Sequence, residues 1–480
     1  MRLASSLQTS LITSLLLLGG CGSVEIASPE PTAGDPPAHP TQPTQPTQPP
    51  ILPPPPGISC GLGDTKDPSR VVLAWARGAE LTFIRADGSS FVARTFPVLE
   101  PDGVSNALVT QIVARGGFVA ATYSSYVDGK VLSEAVLLDR SGEVLWSEVR
   151  SEAFNGLYLG DGGALALGIG LGTSEASTIV GGPGGKIGEA PGVWPISAPT
   201  PGGRVAVRQD FSVYAPPVFG WLDPASGAVG PFAYPVNESY PVTLEDGVAY
   251  LTPDQGGAVL VSEGDSVVSF PLKSEYPRLG AAARHDFLVI QEQWGEPEGP
   301  KWRAQPGSPP AQIASPGQLT TFGGMFYDGL RAGDLGEVLA PMRDERRGGL
   351  YRSVDLGATW ELVGPSFAGI TDIPFIQHGG TYVLQATDQP GYFPMDPWEP
   401  TVAGAPAPDR IGPANLLIRP ADGIARALPD TAQGFVLSEE GGCLAYQDGG
   451  HLIAGDVSTG ATVDLGDGMD TWLTPFTWLP

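Results

Sequence analysis

The sequence has little of what a helical or membrane-spanning protein requires. The apolar stretch near its start, residues 11–18, is far shorter than the about 20 residues that cross a bilayer as a helix, and nothing later in the chain is long enough. Beyond residue 68, the periodicity typical of amphipathic helices is almost absent. These absences favour an all-β fold for the body of the chain.

Histidine and cysteine are also scarce, with four and three copies in 480 residues. The histidines form no HExxH pair and the cysteines form no CxxC pair, so a zinc site is not predicted. The glycine-rich stretch GGPGGKIG at 181–188 lacks the Ser or Thr and the following helix of a phosphate loop. The sequence therefore predicts no cofactor, no metal site and no complete catalytic set.

Basic residues are few, with 26 Lys and Arg against 52 Asp and Glu, which gives a formal net charge of −26. Binding to duplex nucleic acid depends on neutralising phosphates, so nucleic acid is not an expected partner. The same charge disfavours adsorption to anionic lipid.

The N-terminal residues 1–20, MRLASSLQTSLITSLLLLGG, have the charged start, short apolar run and small-residue exit of an export signal. The LGGC stretch that ends at Cys21 resembles the lipobox of bacterial lipoproteins. That resemblance implies that Cys21 is lipidated, becomes the new N-terminus and anchors the protein in the lipid bilayer. Because Gly22 follows instead of Asp, it also implies the outer membrane. A monoderm host and an unmodified cysteine in a discarded signal are the alternatives.

Residues 21–57 are predicted to be the lipidated N-terminus and a disordered, proline-rich stalk. Residues 28–57 hold 13 prolines and three tandem copies of Thr-Gln-Pro. Such a run favours polyproline II at about 3.1 Å per residue, so the stalk could reach roughly 90 Å. A spacer between lipid and domain is the favoured interpretation, and a PxxP ligand is the alternative.

Residues 58–480 are predicted to be one domain. Once Cys21 is assigned to lipid, Cys60 and Cys443 are left as an even pair in an exported protein, and we expect them to form a disulfide that joins the first and last segments of the domain. Two separate buried thiols are the alternative.

Short β-rich runs of about 4 to 8 residues, separated by Gly, Asp, Pro and Ser, fill this domain. The turns between them recur every 37 to 66 residues at Gly88, Gly142, Gly185, Gly227, Gly264, Gly307, Gly357, Gly423 and Gly460. This spacing predicts a single β-propeller of seven or eight blades, because a closed ring leaves only short, protected sheet edges. Nine turns exceed that number, so either the weak turns at Gly185 and Gly307 are ordinary loops or the ring is larger. Two smaller β domains and a pair of β-sandwiches are the competing folds.

The octapeptide SVDLGATW at 353–360 resembles the Asp-box of sialidases and sortilin-like propellers. Its defining residues are Ser353, Asp355, Gly357, Thr359 and Trp360. In those families the box lies away from the catalytic face, so the resemblance implies a propeller more than a hydrolase. From the residues themselves we expect Asp355 to cap the turn, Gly357 to take a positive φ and Trp360 to pack against the blade.

A sialidase-like enzyme would also need arginines that converge from several blades, together with a Tyr nucleophile and its acid partner. The arginines at 343, 346, 347 and 352 crowd one predicted turn instead, which indicates a solvated hairpin. A second stretch, LLDRSGEVLW at 137–146, resembles the strand turn of quinoprotein-like propellers. That superfamily includes both dehydrogenases and a lipoprotein that helps to assemble outer-membrane barrels.

The longest interval between turns contains an aromatic, proline-rich segment at 387–413, with Tyr392, Phe393 and Trp398. Aromatic side chains on pre-organised loops are good binding anchors, so these three are the candidate binding loop. They could instead fold back as a lid over the propeller's apolar rim.

Together these features predict a lipid-anchored, non-catalytic cell-envelope protein whose propeller binds a protein or a glycan. A sialidase-like glycoside hydrolase and an outer-membrane assembly or scaffold propeller are the two alternatives.

Overall fold

The computed structural model describes residues 60–62, 66–99, 106–170, 176–209, 218–232, 236, 242–244, 247–252, 257–262, 266–268, 278–281, 288–291, 301–305, 308–314, 320–321, 331–332, 337–343, 348–363, 369–370, 376–387, 414–467 and 476–479. All of them lie in one compact unit, Ile51–Pro480. The predicted signal, the lipidation site at Cys21 and the stalk lie outside the described residues.

The described residues form 38 strands, β1–β38 in chain order, arranged in nine sheets that we number 1–9. Sheet 1 contains β1 (Val71–Arg77), β2 (Glu80–Arg85), β3 (Ser90–Thr95) and β38 (Phe476–Trp478). Sheet 2 contains β4 (Asn106–Arg115), β5 (Phe118–Val127), β6 (Lys130–Asp139) and β7 (Val144–Arg150). Sheet 3 contains β8 (Phe154–Leu159), β9 (Leu165–Ile169), β10 (Ser177–Gly182) and β11 (Gly185–Pro191). Sheet 4 contains β12 (Val193–Pro195), β13 (Val205–Gln209), β14 (Val218–Asp223) and β15 (Ala228–Pro231).

Sheets 5 to 9 follow the same plan. Sheet 5 contains β16 (Val242–Leu244), β17 (Gly247–Thr252), β18 (Gly257–Ser262) and β19 (Ser266–Val268). Sheet 6 contains β20 (Arg278–Ala281), β21 (Leu288–Gln291), β22 (Lys301–Gln305) and β23 (Ser308–Ile313). Sheet 7 contains β24 (Thr320–Thr321), β25 (Arg331–Ala332), β26 (Val338–Arg343), β27 (Gly348–Ser353) and β28 (Glu361–Leu362). Sheet 8 contains β29 (Gly369–Ile370), β30 (Ile376–His378), β31 (Thr381–Thr387), β32 (Ala414–Arg419) and β33 (Ile424–Leu428). Sheet 9 contains β34 (Gln433–Leu437), β35 (Cys443–Asp448), β36 (His451–Asp456) and β37 (Thr462–Asp467).

The helical content of the described residues is two 3-10 turns, Asp161–Gly163 and Pro420–Asp422. No helix among these residues meets the length and apolarity needed to cross a membrane.

Each sheet is antiparallel. The strands of sheets 2 to 6 and 9 pair in chain order, whereas in sheet 7 both β24 and β25 pair with β26 and in sheet 8 both β29 and β30 pair with β31. Sheet 1 alone is built from both ends of the chain, because β38 pairs with β1. First strands of consecutive sheets contact one another, as β4 contacts β8 and β34 contacts β38. These strands therefore line the inside of a ring, and the fourth strands lie on its outside.

Apolar side chains fill the joints between sheets. The second strand of sheet 1, β1, is buried along almost its whole length, whereas the fourth strand, β3, alternates between exposed and partly buried residues. One cluster at the joint of sheets 1 and 2 includes Phe83 and Val136, and another at the joint of sheets 9 and 1 includes Trp75, Leu452 and Trp478. The core of the described residues is thus distributed around the ring in several clusters, most of them between neighbouring sheets.

Nine antiparallel sheets in a ring closed by the chain's own last strand make this an all-β β-propeller, which confirms the predicted fold class. The described residues hold nine sheets, whereas the repeats predicted seven or eight blades. The difference comes from the two discounted turns. The strands on either side of Gly185 pair with each other, as do those on either side of Gly307, so each turn belongs to a sheet of its own.

Candidate functional site

The Asp-box forms the turn between the two outermost strands of sheet 7, β27 and β28, and we call this turn of each sheet its outer turn. The side chain of Ser353 donates to Asp355 Oδ1 at 2.9 Å, and Ser353 Oγ accepts from the backbone N–H of Gly357 at 2.7 Å. Thr359 donates its backbone N–H to Asp355 Oδ1 at 2.8 Å and its hydroxyl to Oδ2 at 2.6 Å. Both oxygens of the carboxylate are therefore engaged within the turn, and Trp360 beside it is partly buried.

The same kind of aspartate cap recurs in other turns of the repeat. Asp87, Asp139, Asp223 and Asp456 each accept a hydrogen bond from a backbone N–H two to four residues further along the chain. Two of the turns share the sequence Asp-x-x-Ser/Thr-Gly, at 223–227 and 456–460. That pattern is the signal that could have identified the cap before the structure, because short polar side chains commonly bond their own backbone in this way.

Ionised aspartate is favoured in four of these turns. Hydrogen bonds from the Thr359 side chain and backbone hold the pKa of Asp355 below its usual value. The Ser226 hydroxyl does the same for Asp223, and the Ser89 hydroxyl does so for Asp87. Partial burial alone would raise the pKa of Asp139, but the hydrogen bonds from Ser141 and neighbouring N–H groups outweigh it, so that pKa is also lowered. The negative charge of these carboxylates therefore stabilises the turns, because it strengthens the hydrogen bonds that the carboxylates accept.

These outer turns also contact the preceding sheet. Ala314, just after β23 of sheet 6, donates its backbone N–H to the Leu356 carbonyl of the Asp-box turn at 2.8 Å. Gly357 has φ of +83°, and a Cβ placed on it would lie 2.6 Å from the Ala314 carbonyl oxygen. A Cβ on Gly188 of sheet 3 would lie 1.8 Å from the Pro224 carbonyl in the turn of sheet 4. Gly357 and Gly188 thus permit close approach between the backbones of neighbouring sheets.

The predicted disulfide is present. Cys60 is bonded to Cys443, with their Cα atoms 5.3 Å apart, within the distance that a bridge requires. Cys443 is the first residue of β35 in sheet 9, and Cys60 precedes β1 of sheet 1. The bond therefore joins the last sheet to the first, and both cysteines are buried in the apolar cluster at that joint.

Two buried polar groups bear on the enzyme alternative. The Tyr382 hydroxyl donates to the carboxylate of Glu337, and the residues are 0% and 4% exposed. Partial burial alone would lower the pKa of the nearby Arg352 guanidinium, but its hydrogen bond to Glu361 and the charge of that carboxylate outweigh burial, with smaller contributions from Tyr382 and Glu337, so the pKa is raised. The buried hydrogen bond between Tyr382 and Glu337 links sheet 8 to sheet 7. Because both side chains are buried, neither is placed to act as a nucleophile on a substrate in solvent.

A similar arrangement lies between sheets 1 and 2. Arg94 of β3 forms an ion pair with Glu134 of β6, which is 1% exposed. Glu134 stands opposite Tyr123 on β5, and burial is the largest cause of the raised pKa of that tyrosine. This group also spans a joint, because Arg94 comes from the neighbouring sheet.

The quinoprotein-like stretch forms the outer turn of sheet 2. Asp139 caps it, and Trp146 packs onto sheet 3, where a Cβ on Gly181 would lie 3.3 Å from the indole. Within the part of the chain that the structure describes, no group of three His, Cys, Asp or Glu side chains could hold a metal ion.

The candidate binding loop, Tyr392, Phe393 and Trp398, lies outside the described residues. The strands that border it are described, and they fix where it joins the ring. It connects β31 to β32, the two middle strands of sheet 8. The turn from β32 to the outermost strand, β33, lies at the other end of β32, so the loop joins the ring at the end opposite the turns between the two outermost strands of each sheet.

No known protein family matches the sequence, and no curated protein matches it. Solved structures do match in fold. An uncharacterized protein, lmo1340 from Listeria monocytogenes EGD-e, is 9% identical with a TM-score of 0.39, covering 78% of this chain and 98% of that one. A eukaryotic initiation factor is 10% identical with a TM-score of 0.49, covering 86% and 99%. The β-propeller domain of the Trilobed protease from Pyrococcus furiosus is 12% identical with a TM-score of 0.36, covering 76% and 99%. Similarity at this level carries no information about activity or ligand.

Proposed function

We propose that the protein is a lipid-anchored cell-envelope protein whose propeller is a non-catalytic binding domain for a protein or a glycan. The observation that carries the proposal is that the polar groups that resemble those of a sialidase have structural partners here. Both oxygens of the Asp355 carboxylate accept hydrogen bonds within its own turn, and the Glu337–Tyr382 pair is buried between two sheets. The residues that most resemble those of a sialidase therefore support the ring.

Export is supported by the Cys60–Cys443 disulfide. Structural disulfides persist in oxidising compartments and are rare in a reducing cytosol. This agrees with the signal and lipobox resemblance of residues 1–21, and the cell envelope, with the outer membrane as the preferred site, is the compartment that we propose.

The topology supports different roles for the two ends of the ring, one where the chain enters and one where ligand binds. The chain enters sheet 1 beside the outer turn, since the Arg70 carbonyl accepts from the Ala86 N–H at 2.7 Å. The loop with Tyr392 and Trp398 joins sheet 8 at the other end of the ring. The hairpin between β5 and β6 of sheet 2 lies at that same end, and Tyr126 beside it is 40% exposed. We propose that ligand binds at the end of the ring opposite the one where Arg70 leads into sheet 1.

The anchor is tested by replacing the cysteine that would carry lipid. Cys21→Ser should abolish incorporation of labelled fatty acid and move the protein from the membrane fraction to the soluble one, because only that cysteine lies in the lipobox-like stretch. Thermal unfolding of the propeller should not change. Continued lipid labelling of Cys21→Ser would overturn the proposed anchor.

The binding end is tested with purified protein on a panel of envelope glycans and outer-membrane proteins. Tyr392→Ala with Trp398→Ala should weaken binding at least tenfold and leave thermal unfolding unchanged, since aromatic anchors supply most interface energy. Val354→Ala, at a 71% exposed position in the turn at the other end, is the matched control and should bind normally. Equal loss of stability would show that Tyr392 and Trp398 form a lid over the core, and turnover of a glycan would favour the hydrolase.

A further inference from the structure

The two ends of the propeller domain leave the ring side by side. The start of β1 pairs with the end of β38, so that Leu73 stands opposite Trp478 and Trp75 stands opposite Phe476. Leu479 donates its backbone N–H to the Val72 carbonyl at 2.9 Å. The chain that precedes β1 therefore emerges at the point where the ring closes.

Tension applied along that preceding chain would act on β1 at its first residue, Val71. Pulling a strand from its end breaks hydrogen bonds one after another, which requires less force than shearing all of them together. On its inner side β1 is held by three residue pairs with β38 and by the Leu479–Val72 hydrogen bond, and on the outer side it pairs with β2, which pairs with β3. Without another link, sheet 1 could be peeled away in chain order.

The disulfide provides another link ahead of β1. Cys60 is bonded to Cys443 on β35, a strand that is paired on both sides, with β34 and with β36. Cys60 and Leu62 are 7% and 1% exposed, so the segment is packed against the joint as well as bonded to it.

We propose that the Cys60–Cys443 disulfide is a mechanical strap, which transfers tension from the N-terminal segment to the interior of sheet 9 and so keeps sheet 1 folded. The source of that tension rests on the proposed function, in which residues 21–57 tether the domain to a membrane. The strap itself is a property of the ring and does not depend on lipid.

The test is single-molecule pulling on the full chain, with one handle coupled within residues 28–57 and a second at Gly202, an exposed position before β13. The oxidised protein should show no lengthening before the whole ring ruptures. The Cys60→Ser, Cys443→Ser double variant should show an early, low-force event as sheet 1 peels. Release of residues 60–95 would lengthen the chain by about 130 Å at roughly 3.6 Å per residue.

The wild-type protein treated with a reductant in the trap gives a second measurement that does not require the double variant to fold. The early event should appear after reduction and be absent before it. An early event in oxidised molecules, or none in reduced ones, would overturn the strap. Because the handle replaces the anchor, failure of the lipidation test at Cys21 would leave this result unaffected.

Discussion

The joint that closes the ring differs from the joint between sheets 2 and 3 in how the chain holds it together. Between sheets 2 and 3 the polypeptide runs directly from Arg150 to Phe154, so a peptide connection links the two sheets. The chain also runs from sheet 9 into sheet 1, from Asp467 of β37 to Phe476 of β38, but sheet 1 is itself assembled from both ends of the domain. The break in chain continuity therefore lies within sheet 1, between β38 and β1, where strand pairing holds β1 and the disulfide ties the preceding segment to sheet 9.

Both joints bury a tryptophan against the neighbouring sheet. Trp146 is 8% exposed and packs on sheet 3, and Trp478 is 7% exposed and packs between sheets 9 and 1. The second makes one more contact, since Trp478 Nε1 donates to the Val436 carbonyl of sheet 9 at 3.0 Å. The pair therefore allows a matched test of the two joints.

The largest effect is expected from Trp478→Ala. Removing a buried tryptophan costs about 3–5 kcal/mol, and here it also leaves a partly buried carbonyl without its donor. Trp146→Ala should cost about 3–5 kcal/mol for the packing alone. Denaturant unfolding measures both values, and amide exchange shows where each variant loosens. Trp478→Ala should increase exchange in β1 and β38, whereas Trp146→Ala should increase it in sheets 2 and 3.

The same exchange pattern in both variants would contradict the distinction between the joints. A uniform increase around the ring would mean that the sheets unfold as one unit whatever joint is weakened, and that the closing joint has no special role.

The turns give a second, smaller test of how sheets dock. Gly357 and Gly88 have nearly equal φ values, +83° and +82°, but a Cβ on Gly357 would meet the backbone of sheet 6 and one on Gly88 would meet nothing within 4 Å. Gly88→Ala should cost about 1–2 kcal/mol for the backbone conformation. Gly357→Ala should cost about 1–3 kcal/mol more, because sheet 6 must move. Equal losses in denaturant unfolding would show that docking contributes nothing.

Much of this architecture could be predicted from local sequence, because turns and strands are local features. All nine glycine positions lie at the hairpin between the two outermost strands of a sheet, and Gly185 is itself the first residue of β11. The predicted count is smaller because it treats the weak turns at Gly185 and Gly307 as ordinary loops, whereas the strands at each of these turns pair with each other. The pairing of Cys60 with Cys443 was predictable because few cysteines remained.

The partners across each joint were not predictable. Nothing in the spacing of Arg94 and Glu134, or of Glu337 and Tyr382, indicates that they meet, since those contacts depend on how two sheets stack. The candidate binding loop remains a prediction, since only the strands that border it are described.

The smallest effect is expected at Asp355, and it depends on pH. Its pKa is lowered in the folded protein, chiefly by hydrogen bonds from Thr359, so the ionised carboxylate stabilises the folded state. That stabilisation is fully present above the unfolded value of about 3.9 and is lost as pH falls through the lower folded value. Asp355→Asn should therefore unfold more easily than the wild type at pH 6. The difference should shrink below about pH 4, as the wild-type carboxylate takes up a proton. A difference that stays constant from pH 6 to pH 2.5 would mean that the turn needs only the geometry of the side chain and not its charge.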